Sequence, residues 1–140
     1  MEKEMQFMQI CDRVEAIAGA PIDLSAFPGA WLNSNPDTRG IARLSMTVAN
    51  GSLSVQVFGI GPDGLIDWGE TDASVFTSSP ASRVGAGFTC RFDFGFAEAR
   101  LQGMLMKGLL VLGQLHSFKD DSRRLNYFIR EYFGLAHGRY

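Results

Sequence analysis

Four residues near the C-terminus carry side chains suited to acid–base or polar work: His116, Tyr127, Arg130 and Glu131. All four fall on the last two predicted strands. Successive side chains of a strand point to opposite faces, so a slip of one residue exchanges the two sets. Each of the four therefore faces either an apolar interior or solvent. An imidazole or carboxyl turned inward is desolvated, its pKa moves, and it becomes a candidate general acid or base. Turned outward, the same group is a solvated side chain or half of a structural ion pair. Asp67, Glu70 and Asp72 cluster around Trp68. Close carboxylates can run acid–base chemistry or bind a hard cation. Their spacing matches no calcium loop, and a polar loop is the plainer reading. No Gly-x-Ser-x-Gly stretch supports a hydrolytic triad. Gly59-Ile60-Gly61 follows a strand but opens no helix, so it is not a dinucleotide fingerprint. His116 with His137, and Cys11 with Cys90, lack metal-ligand spacing. No metal and no cofactor are expected.

The elements that position these groups follow from composition and period. The chain has 140 residues, enough for one domain. A domain of this size buries about two thirds of its unfolded surface and needs no staples. Sixteen glycines and eleven phenylalanines suit short strands, tight turns and aromatic filling. The net charge of −2 offers no basic footprint for nucleic acid or an anionic membrane. No apolar run reaches transmembrane length. Met1-Glu2-Lys3-Glu4 leads into no apolar h-region, so no secretory signal is expected. The two cysteines are read as reduced thiols of a soluble, cytoplasmic protein, with Cys90 buried.

Residues 1–20 read as one amphipathic helix, with Met5, Met8, Cys11 and Val14 along its stripe and a stop at Gly19 and Pro21. That stripe either packs on the sheet or serves as a partner-binding element or lid. Residues 21–140 read as the β domain. Ile41 to Ala49 alternates, Asn50-Gly51 is a hairpin turn, and Leu53, Val55 and Val57 resume the alternation. Leu65 to Thr77 reads as one strand interrupted near Gly69. Further strands follow at Phe88 to Phe94, Glu98 to Met106, Leu109 to Phe118 and Leu125 to Phe133. About eight strands joined by short loops predict an antiparallel up-and-down barrel; a sandwich is the alternative.

The stretch Gly29-Ala30-Trp31-Leu32-Asn33 resembles the Gly-x-Trp opening of the calycin barrels, and its Asn33 matches the Gly-x-Trp-x-Asn form of avidin-like chains. The resemblance covers these residues and the strand count. It implies a barrel in which Trp31 closes one end. It also implies a basic residue near the last strand packed over that ring, here Arg130 or Arg123. The avidin biotin-site pattern does not carry over.

An eight-stranded barrel is just wide enough for packed side chains or one small ligand. The expected lining is Trp31, Leu44, Met46, Val55, Val57, Trp68, Phe88, Phe92, Phe94 and Leu101, with Val48 beside them. Gly103 and Gly113 are expected to leave room. Binding of a small, mostly apolar molecule is the leading function. A cofactor-free cyclase or isomerase using one of His116, Tyr127, Arg130 or Glu131 is the second. A structural interaction module is the third. Leu109 to Leu112 is apolar at every position. One face fills the barrel, and the other must be covered by the N-terminal helix or by another subunit; one helix of about 17 residues is short for three strands, which predicts a homodimer or larger assembly.

Overall fold

The computed structural model describes residues 21–136. The expected N-terminal helix and the tail from residue 137 lie outside them. Eight strands follow in order: β1 (Gly29–Asn33), β2 (Ile41–Ala49), β3 (Ser52–Gly61), β4 (Gly64–Thr77), β5 (Gly85–Asp93), β6 (Ala97–Met106), β7 (Leu109–Phe118) and β8 (Tyr127–Leu135). Each pairs with the next, and β8 returns to pair antiparallel with β1, Trp31 opposite Leu135 and Asn33 opposite Phe133. The result is a closed up-and-down barrel, not a sandwich. Closure removes the sheet edges that an open meander would expose.

The turns follow the sequence. Asn50 and Gly51 both take positive φ (52° and 75°), as the twist of a two-residue hairpin requires. Lys107 and Gly108 do the same at the β6–β7 turn (52° and 80°).

The register shifts at three places; one, at Phe76 and Thr77 of β4, is remote from the site, and the other two bear on it. Of these two, one lies between Ile41 and Arg43 of β2. It turns Ile41 inward, fully buried, in place of the alternation expected from Ala42. The other lies on β4, where the pairing with β3 shifts between Val57 and Phe58. Gly69 takes φ +98° there, and its N–H donates to Asp67 Oδ1 at 2.8 Å. The interruption at Gly69 is therefore a bulge inside one long strand, and Trp68 is the residue it re-aims.

One end of the barrel is plugged by the segment before β1. Asp23 bridges Val84 in parallel, and Phe27 is fully buried with its ring edge-on to Phe88 at 6.3 Å. Trp31 is 3% exposed and its Nε1 donates to the Phe27 carbonyl at 2.9 Å. Above this plug, Leu44, Met46, Leu53, Val55, Val57, Leu101, Leu110, Leu112 and Phe133 form one contiguous core. Among the described residues the opposite end is open, and it is called the mouth below.

Several expectations need correction. Arg130 pairs with Gly113 on the outer face of β8 and is exposed. Arg123 lies in the β7–β8 loop, at the mouth end. Neither basic residue sits where Trp31 is held by Phe27 and faced by Leu135 and Leu44. Val48 is 38% exposed, although Leu53 opposite it on β3 is buried. The room expected at Gly103 is taken up by the Phe88 ring, and Gly113 faces outward beneath the Phe128 ring.

Candidate functional site

Strand alternation places a polar series at the mouth. On β7, Leu110, Leu112, Gln114 and His116 share the inward face; on β8, Phe133, Glu131, Ile129 and Tyr127 do. The deepest layer is apolar, Leu110 opposite Phe133, both fully buried, and the next sets Leu112 opposite Glu131. Above them the interior turns polar.

Gln114 is fully buried and is the one buried polar residue among the described residues. Its Nε2 donates to Glu131 Oε1 at 3.1 Å. Glu131 Oε2 accepts from Asn33 Nδ2 at 2.9 Å and from Thr38 Oγ1 at 2.7 Å. Asn33 is oriented in turn. Its Oδ1 accepts from the Asn35 N–H at 2.8 Å, and its Nδ2 also donates to the Ile41 carbonyl at 2.9 Å. The carboxylate thus accepts from three side chains drawn from β1, the β1–β2 loop and β7. Such satisfaction is what makes a polar group tolerable inside a barrel.

His116 continues the chain outward. Its Nε2 lies 3.2 Å from Gln114 Oε1. Its ring stacks on Tyr127 at 4.4 Å with planes 13° apart, and meets the Trp68 ring edge-on at 6.3 Å. Desolvation by burial lowers the His116 pKa from the ordinary 6.5, partly opposed by the charge of Glu131. Burial, reinforced by the same carboxylate, raises the Tyr127 pKa. His116 is therefore a neutral imidazole at pH 7 and Tyr127 a neutral phenol.

An aromatic wall faces this pair. Trp68 packs edge-on against Phe92 at 5.8 Å and Phe94 at 5.1 Å. Gly59 makes this possible: a Cβ there would lie 2.5 Å from Trp68 Nε1. Phe96 lies tilted beside Phe94 at 6.3 Å. Between the walls is a cleft of about 440 Å³ lined by Trp68, Phe94, Phe96, His116, Tyr127 and Arg39, among others. A second hollow of about 290 Å³ adjoins it across Arg39, Gly40 and Tyr127 and reaches Gln114 and Glu131. At the rim, Arg124 is paired with Asp120 at 3.0 Å and lies over the Phe118 ring at 4.3 Å. A larger hollow of about 600 Å³ lies where β4 and β5 diverge, but exposed Asp72, Ser74, Arg91 and Arg100 line much of it, on the outer wall.

The residues singled out from the sequence thus divide. His116, Tyr127 and Glu131 meet at the mouth, whereas Arg130 points away from it. Trp68 and Phe94 line the cleft. Leu44, Met46, Val55 and Val57 are at most 1% exposed and form packed core, as do Trp31, Phe88, Phe92 and Leu101. They support the site from below. Gln114, Thr38 and Asn33 were missed as site residues. The signal for Gln114 was its place in the two-residue series from Leu110 to His116. Asp67 and Asp72 accept hydrogen bonds from the side chains of Gln56 and Ser54 on the neighbouring strand. No group of three His, Cys, Asp or Glu side chains among the described residues could hold a metal ion.

No family model, no curated protein and no solved structure matches the chain.

Proposed function

We propose that the barrel mouth binds one small, flat, mostly apolar molecule between the Trp68–Phe94 wall and the stacked His116–Tyr127 pair. One observation carries this reading: an open cleft of about 440 Å³ whose walls are aromatic and which adjoins, across Gly40 and Tyr127, the hollow that reaches the hydrogen-bonded polar cluster. Aromatic walls supply affinity through buried apolar area, at about 25 cal/mol per Å². A few placed polar groups then fix orientation. The calycin-like reading of Gly29–Asn33 belongs to the same proposal, since barrels of that kind hold ligands at an open end. Native mass spectrometry before and after denaturation tests it. A small molecule released on unfolding supports the reading. An empty protein whose tryptophan fluorescence also ignores flat apolar probes removes it.

A cofactor-free isomerase or cyclase is the second reading. The chain from Glu131 through Gln114 to His116 favours it, because it presents a neutral imidazole to the cleft. With a flat probe that carries no hydroxyl, a binder keeps its affinity when His116 is replaced by Phe; an enzyme still binds but loses turnover.

A homo-oligomer is part of the proposal. Phe76, Met104 and Phe128 are 54%, 52% and 61% exposed on the outer wall. Met104, Val111 and Tyr132 run across it side by side on β6, β7 and β8. A second copy covering this face would bury them.

A further inference from the structure

The hydrogen bonds at the mouth fix more than the shape of the cleft. Glu131 accepts from three donors, and one of them is Gln114 Nε2. Gln114 must therefore turn its NH₂ group to Glu131, which leaves its carbonyl oxygen facing His116. A carbonyl only accepts, so His116 Nε2 is the protonated nitrogen. A neutral imidazole carries one N–H. Nδ1 is then a bare lone pair. Among the described residues it has no hydrogen-bond partner, and every fully buried side-chain nitrogen or oxygen has one. Nδ1 is therefore open to solvent, on a ring that lines the cleft.

From this, and resting on the binding reading above, we infer that the ligand is a flat, neutral molecule with a phenolic or enolic hydroxyl that donates to His116 Nδ1. An apolar ligand lacking a donor would cover that nitrogen and strip its water without replacement, which costs affinity. A hydroxyl replaces the water. The groups packed around the imidazole agree with a neutral donor. Tyr127 covers one face as a neutral phenol, and Trp68 meets it edge-on. Glu131 stands behind Gln114 and would repel an anion. Of the two arginines on the cleft, Arg124 is paired to Asp120, while Arg39 is exposed at the rim.

Two measurements on the full chain test this. The first is the nitrogen-15 NMR spectrum of the imidazole at pH 8, with a proton expected on Nε2 and none on Nδ1. A proton on Nδ1 overturns the proposal. The second is calorimetric titration with 2-naphthol and with 2-methoxynaphthalene, which share the flat ring system and differ in the donor. 2-Naphthol is expected to bind about tenfold more tightly, the worth of one such hydrogen bond. His116→Phe keeps a ring to stack on Tyr127 and is expected to bind the two alike. Equal binding by the unmutated protein overturns the donor requirement and leaves the cleft standing. Binding of neither overturns the cleft reading, and this proposal with it.

Discussion

Gln114 has both ends of its amide engaged, so its partners are coupled to it. Removing Glu131 leaves a fully buried NH₂ group without an acceptor. Glu131→Ala is therefore expected to destabilise the fold by about 1–3 kcal/mol, read from urea unfolding. Replacing Gln114 and Glu131 together by Leu is expected to cost less than the sum of the two single changes. His116 gives the pH dependence. Its folded pKa lies below 6.5, so the unfolded chain binds more protons as pH falls through that value. The stability tied to neutral His116 is present above pH 6.5 and is lost below it. His116→Phe should flatten that part of the stability–pH profile. Cys90 is 8% exposed and burial pushes its thiol up to about 12. In a Cys11→Ser background, Cys90 is expected to resist a thiol reagent at pH 8 until the chain is unfolded. At this scale the sequence was half legible. His116 and Glu131 stand out because they carry charge or can acquire it. Gln114 carries none and was overlooked, although it sits two residues from His116 on the same face. Arg130 and Glu131 are neighbours, and apolar residues lie on both sides of β8. Only its pairing with β7 shows which of the two turns inward.

Among the elements, β4 decides whether there is a cleft at all. A regular strand would not set the Trp68 ring over Gly59; the bulge at Gly69 does. Gly59→Ala places a methyl where the indole lies, so Trp68 must shift. Probe binding is expected to fall by about tenfold or more, the loss of one good aromatic contact, as read by fluorescence titration. Gly69→Ala meets no neighbouring atom, and its cost is the strain of φ +98°. It is expected to destabilise by about 1 kcal/mol or more. The strands themselves were readable from alternation and turn chemistry, above all the hairpin at Asn50-Gly51. The bulges were not. An extra residue on one strand leaves the polarity pattern almost unchanged, and its effect shows only against the partner strand.

For the whole molecule, the division is between a sealed end and an open one. Phe27 and Trp31 seal the first, and polar side chains ring the second. The outer wall adds an apolar surface that is exposed among the described residues. Light scattering is expected to report a dimer or larger at micromolar concentration. Changing Phe128 and Met104 together to Lys is expected to yield a monomer that keeps its probe affinity. A monomer without any mutation would remove the oligomer reading. Barrel closure was legible from strand count and loop length. The outer face was legible only in part: Leu109 to Leu112 showed that both sides of β7 are apolar, but not which neighbours extend the patch.

The seam between β1 and β8 carries a consequence for folding. Every other strand pair joins sequence neighbours through a turn, so it can form early from local chain. The β1–β8 pair joins Trp31 to Leu135, across nearly the whole described chain. Long-range pairing of this kind is slow, because loop closure must precede the contacts that reward it. The Asn33–Glu131 and Thr38–Glu131 hydrogen bonds cross the same gap in sequence. The polar cluster beside the cleft is thus also the clasp of the ring. A nascent chain has no such cluster until its final strand has emerged, and binding competence should appear in the last kinetic phase of refolding, together with closure.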